Sequence, residues 1–191
     1  MDTHPPLRSG DIVFVTARNP LHRRMMRAGG GKASHVGIVF EDARAGWVVA
    51  ENGVSRSRYR PLEQFLGRSA DDWFVARHLK RELSPAEVAA LRQACDARMG
   101  KWHQLDFKFG SRRNSRSKFV YEVYREALGI DVGAVETFSE LLRRNPQESL
   151  GFWKQWFPDR VPSQRKTGAP ARQSQAARPR TVWHSGNPRS A

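Results

Sequence analysis

Short runs of β-branched and apolar residues recur through the first eighty positions. Residues 11–16 (DIVFVT) follow Ser9-Gly10 and read as a buried strand. Residues 35–40 (HVGIVF) and 47–51 (WVVAE) are two further strand-like runs joined by a short polar connection, which predicts a hairpin. Residues 61–66 predict one or two helical turns, and 73–79 (WFVARHL) another strand. Between the first two strands, Asn19-Pro20 punctuates the chain, and LHRRMMRA predicts a short helix ending at Gly29-Gly30-Gly31.

The second half is helical in pattern. Ser84-Pro85-Ala86-Glu87 is a helix start: Ser caps, Pro takes the first helical position, and Glu closes a capping box. That helix is predicted through Val88, Leu91 and Cys95 to Met99, with Gly100 as its stop. A second spans 117–128, because Phe119, Val120, Val123, Tyr124 and Ala127 share a face, and Gly129 ends it. Thr137 opens a further helix towards Asn145-Pro146, and 150–157, with Trp153 and Trp156, gives a last apolar piece. Strands early and helices late predict an α+β domain rather than a doubly wound sheet.

Composition adds a division. The chain has 191 residues and a formal net charge of +14. From Pro158 onward there are seven basic residues against Asp159 alone, with five of the eleven prolines. The predicted organisation is therefore a domain over 1–160 and a basic, Pro/Arg/Ser-rich tail of low order over 161–191. A lone cysteine, Cys95, excludes an intrachain disulfide and a multi-cysteine zinc site. The N-terminus MDTHPPLRSG lacks the apolar core of a secretory signal, no window is long and apolar enough to span a bilayer, and the expected compartment is the cytoplasm.

Two constellations carry candidate chemistry. His35 opens an apolar strand, and Glu51, sixteen residues on, ends the next one; a hairpin can bring that carboxylate to that imidazole, as a general base requires. The alternative is ordinary sheet surface. The other is the start of the helix near 117, where the partial positive charge of a helix N-terminus suits an anion or a thiolate. This chain places Arg112, Arg113, Arg116 and Lys118 there instead. They are either a solvated loop or a site for a carboxylate or phosphate. Tyr121, Tyr124, Trp153 and Trp156 read as packing residues, His103 as a solvated loop histidine and Asp106 as structural or helix-capping. His35 and Glu51 lack a third metal ligand, so no metal or cofactor is expected.

With these residues in place, the sequence resembles the circularly permuted branch of the NlpC-type papain-like superfamily, the YebB/YiiX-like permuted papain-like amidases. The matching blocks are GDIVFV, SHVGIVF, VVAEN and SKFVYEVYREALGIDVGAVETFSELLRRNP followed by FWKQWF, in family order. The stretch 117–157 looks most like the YebB members. The resemblance implies a circularly permuted papain-like domain with a small antiparallel sheet packed against helices. It also implies a general base at His35, an orienting acid at Glu51 and a nucleophilic cysteine at position 116.

Arg116 stands where that cysteine belongs. A guanidinium stays protonated and has no usable nucleophilic pair. Cys95 lies in the preceding helix, where the family gives it no role, and reads as a core thiol. Ser117 is about 100° further round the helix, and Ser115 is one residue early. The first expectation is a member of this hydrolase family impaired in catalysis, binding a small-molecule, peptide, peptidoglycan or acyl-lipid ligand. The alternatives are an active hydrolase using Ser115 or Ser117, and a basic module for polyanions or an anionic membrane surface. No specific nucleic-acid motif is visible, and Trp183 is the tail's single aromatic residue. The sequence leaves the oligomeric state unknown.

Overall fold

The computed structural model describes residues 7–18, 31–53, 56–100 and 116–133, with shorter pieces at 136–137, 139–140, 143, 154, 166–167 and 180–184. Among the described residues eight strands are formed: β1 (Ile12–Ala17), β2 (His35–Asp42), β3 (Gly46–Asn52), β4 (Ser57–Pro61), β5 (Ser69–His78), β6 (Glu136–Thr137), β7 (Lys166–Thr167) and β8 (Arg180–His184). Among the described residues the helices with defined bounds are α1 (Leu62–Leu66), α2 (Pro85–Asp96) and α3 (Arg116–Leu128). Six strands make one sheet in the order β4-β3-β2-β1-β5-β8, every neighbouring pair antiparallel. The short strands β6 and β7 pair separately. The expected α+β class with an antiparallel sheet against helices is what forms.

Alternation along the strands divides the core in two. Ile12, Phe14, Val36, Ile38, Phe40, Val48 and Ala50 point to one face, where they pack with Leu91, Ala94 and Cys95 of α2 and Phe119, Val120, Val123 and Tyr124 of α3. Val13, Val15, Val39 and Val49 point to the other, against Leu62 and Phe65 of α1. The sheet is therefore a middle layer, covered on both faces, which explains why its central strands are apolar on both sides.

Gly37 fits the expectation that it leaves room beside the backbone. A Cβ there would stand 2.3 Å from a methyl of Val49 and 2.9 Å from the Ala50 carbonyl, a collision with the backbone of β3. The β2–β3 pairing thus stays close at the point where Gly37 faces Glu51.

The capping box of α2 is present: Ser84 Oγ accepts the Glu87 N–H, and the Glu87 carboxylate accepts the Ser84 N–H at 2.9 Å. Ser84→Ala is expected to cost about 1 kcal/mol, read as a lower urea midpoint with an unchanged slope, and Ser84→Asp to recover most of it. The helix ends at Asp96 rather than Met99. Arg98 and Met99 donate to the carbonyls three residues back, Cys95 and Asp96, and this tighter winding unravels the last turn before Gly100.

Two stretches depart from expectation. β4 (SRYRP) was not foreseen, because it lacks apolar alternation and is held by its pairing with β3. The segment 161–191, expected as a tail of low order, contributes β7 and β8. Arg180-Thr-Val-Trp-His combines β-branched and aromatic residues that suit a strand, and β5 offers it an unpaired edge. The predicted helix at 21–28 lies outside the described residues, and of that at 150–157 Lys154 alone is described, in helical conformation. That at Thr137 is represented by its cap: Thr137 Oγ1 accepts the Glu140 N–H at 3.2 Å, and Glu140 accepts the Thr137 N–H at 2.7 Å. Among the described residues no helix is long and apolar enough to cross a membrane.

Candidate functional site

His35 is the first residue of β2 and Glu51 the penultimate residue of β3. The β2–β3 register sets Glu51 opposite Gly37, so the carboxylate lies diagonally across from His35 on the same face. The structure brings the two together: His35 Nε2 and Glu51 Oε2 are 2.5 Å apart, with both side chains buried. The Phe65 ring stacks on the imidazole with centroids 5.4 Å apart.

Three arginines that sequence reasoning missed complete the environment of Glu51. Arg58 Nε and Arg60 Nε donate to its Oε1 at 3.2 and 2.9 Å, and Arg68 Nη2 donates to Oε2 at 2.5 Å. Arg58 and Arg60 stand two apart on β4, beside Glu51 and Val49 of β3, so both share the Glu51 face. That spacing of two, next to the strand that ends in the acid, was the available signal. Arg68 leaves α1 and is fixed by its carbonyl, which accepts the Arg18 N–H at 3.3 Å. The pairing of Ala17 with Ser69 holds the same corner, across a bulge that includes Asp71 and Asp72 with φ of 55° and 48°. Aspartate tolerates that left-handed region better than most residues.

Burial alone would raise the Glu51 pKa. The His35 hydrogen bond, the His35 and Arg68 charges and the Arg60 hydrogen bond outweigh it and hold the carboxyl well below the usual range. Glu51 is therefore ionised, and all of its approximately four acceptor positions are filled by His35 and the three arginines. Facing a carboxylate, His35 Nε2 carries the proton and donates. In the neutral ring the basic lone pair is then on Nδ1. This fits an acid that orients an imidazole and leaves proton transfer to the ring.

The predicted nucleophile region divides differently. Arg116 begins α3, and its side chain lies outside the described residues. Ser117 is buried in the first turn, and Lys118, also buried, pairs with Glu122 at 3.4 Å. Ser115, Arg112, Arg113, His103, Asp106, Trp153 and Trp156 lie outside the described residues. The apolar stripe of α3 packs on the face of Val36 and Ile38, whereas His35 and Glu51 belong to the face of Val13 and Val49. The imidazole and the apolar stripe of α3 thus lie on opposite faces of the sheet.

Cys95 is fully buried in the core, and burial pushes its thiol far above the ordinary range, as suits a packing residue. Tyr124 is also core, its hydroxyl donating to the Gly10 carbonyl. Tyr121 is half-buried and accepts from Arg125 at 2.8 Å. Beside Tyr124, Asp11 is a buried carboxyl that burial pushes up to about 7 against the opposing Arg8 N–H. The native state then holds more protons than the unfolded chain between about pH 4 and 7, so stability falls as pH rises through that window. Asp11→Asn is expected to flatten that fall in the thermal midpoint and to gain on the order of 2 kcal/mol at pH 8.

Comparison with known proteins places this arrangement. The sequence profile of the family described as "permuted papain-like amidase enzyme, YaeF/YiiX, C92 family" matches residues 6–187. The uncharacterised protein YiiX of Escherichia coli strain K12 is 26% identical over 140 residues, spanning 73% of this chain and 68% of that protein. A crystal structure described as metalloprotein yiiX from Escherichia coli O157:H7 superposes with a TM-score of 0.82 at 25% identity, covering 92% of this chain and 96% of the other. The matched residues extend through β8, so the strand from the basic tail is covered along with the seven before it. The chain belongs to the YaeF/YiiX C92 family of permuted papain-like amidases.

Proposed function

We propose that this chain is a family member that has lost thiol catalysis and now binds, without cleaving, a ligand with an amide, thioester or ester bond. Peptide, peptidoglycan and acyl-lipid ligands are the classes that the family chemistry suggests. One observation carries the reading. The base and its orienting acid are held together at 2.5 Å, while α3 opens with Arg116 at the position where the resemblance puts the cysteine. A guanidinium cannot supply the attacking pair, so no acyl-enzyme forms there.

The crystal structure described as that of a metalloprotein raises the question of a metal here. The residues do not fit one. Among the described residues no three His, Cys, Asp or Glu side chains gather. The buried acid–imidazole pair has its carboxylate saturated by three guanidiniums, whose charge repels a cation.

The test is the unaltered chain against a panel of p-nitrophenyl esters, aminoacyl anilides and a fluorophosphonate probe. Neither turnover nor labelling is expected above that of His35→Ala. Fluorophosphonate labelling at Ser115 or Ser117 that disappears in His35→Ala would overturn the reading in favour of a serine hydrolase.

A further inference from the structure

Three guanidiniums around one carboxylate are more than neutralisation requires. Arg58, Arg60 and Arg68 carry three positive charges against the single negative charge of Glu51, which is also hydrogen-bonded by His35. Their donors are only partly used. Arg58 gives one N–H to Glu51, and among the described residues its two Nη groups have no partner, with the side chain 43% exposed. Arg60 spends one further group on Gln64 Oε1 at 3.2 Å. Arg68 lies over the Phe65 ring at 5.2 Å, and its Nε is buried with no hydrogen-bond partner among the described residues. An unsatisfied buried donor on a charged group is costly unless something fills it.

We propose that Arg58, Arg60 and Arg68 form a cradle for an oxyanion, the carboxylate or phosphate of the ligand, beside the His35–Glu51 pair. Glu51 holds the three guanidiniums by one edge each, and their remaining N–H groups form the recognition surface. Planar forks of this kind match carboxylate and phosphate oxygens two at a time. The cradle deepens the binding function proposed above and rests on it in one respect, that the His35 face of the sheet is the ligand's. It assigns that ligand an acidic group placed next to the bond the ancestral base would have served.

The experiment follows the guanidinium Nε–H resonances of the intact chain by NMR. It titrates inorganic phosphate and, separately, acetate at constant ionic strength, so that screening does not change. Saturable shifts of Arg58, Arg60 and Arg68 are expected, with affinity at least tenfold weaker in Arg58→Gln. Saturation by phosphate assigns a phosphate end, and saturation by acetate a carboxylate end. Arg44→Gln, in the turn at the other end of the β2–β3 hairpin, is expected to leave affinity unchanged. Linear shifts without saturation, or equal weakening in Arg44→Gln, would mean general attraction to a basic surface and overturn the cradle. Should Arg58→Gln not fold, Arg58→Lys keeps the charge and loses the fork; affinity equal to the unaltered chain would then overturn it. The readout needs no nucleophile, so absent phosphate and acetate binding strikes the cradle alone, and fluorophosphonate labelling strikes the loss of catalysis alone.

Discussion

Glu51→Gln is expected to destabilise the protein by about 3–5 kcal/mol at neutral pH, the usual cost of removing one partner from a buried ion cluster. The amide keeps the shape of the side chain and offers one acceptor oxygen, but its NH2 group faces donors. His35 and three guanidiniums would be left around a neutral group. Glu51 is fully buried, so water cannot replace the lost acceptor. The effect has a pH signature. Burial raises the native pKa of Glu51, but the hydrogen bonds and charges around it more than reverse this, so the value lies below the ordinary 4.5. Its contribution is therefore fully present above the unfolded value and is lost as the pH falls towards the native one. Urea unfolding at pH 7 and again at pH 3.5 should show the gap between the two proteins narrowing on acidification. A gap below about 1 kcal/mol at pH 7, the range of an exposed pair, would mean that the cluster does not hold this corner together.

The second large effect is a gain. Arg116→Cys is expected to make the chain react with a thiol-directed acyl probe at position 116, where the unaltered protein does not. A helix N-terminus lowers a thiol pKa, and an imidazole within reach contributes about 10²–10⁴-fold as a general base. The protein supplies its own reference in Cys95, whose buried thiol has its pKa pushed up and should stay unlabelled. Adding His35→Ala to Arg116→Cys should lower the labelling rate at least tenfold if the imidazole assists. Mass spectrometry of the labelled peptide separates the two cysteines. The outcome is informative because His35 and the apolar stripe of α3 lie on opposite faces of the sheet. Rapid labelling insensitive to His35→Ala would mean that the base and the helix start no longer communicate. No labelling at all would remove the case for a preserved catalytic frame.

How far the sequence carried this picture depends on which force shaped each segment. β1, β2, β3 and β5 were legible because burial writes itself into runs such as DIVFVT and HVGIVF. The start of α2 was legible because capping is local chemistry among Ser84, Pro85 and Glu87. The His35–Glu51 pair was legible because hairpin geometry converts a spacing of sixteen into a diagonal contact. β4 was not legible, since Arg58 and Arg60 are there for Glu51, a contact made across strands. Arg68 and Phe65 reach the pair from α1, through tertiary structure that no local pattern encodes. β8 was hidden by its surroundings, five strand-forming residues within a Pro- and Arg-rich stretch.

The place of β8 also sets a condition on how the protein is made. Among the described residues the outer edge of β5 is paired by residues 180–184, more than one hundred positions further along the chain. While the chain is being synthesised, that edge is bare, with its N–H and C=O groups available to another strand, another chain included. Such late, long-range pairing is slow compared with local hairpins. The sheet can therefore be completed only after residue 184 has left the ribosome. A message cut short after α3 would yield a product that carries α1, α2 and α3 but leaves one edge of its sheet open to aggregation.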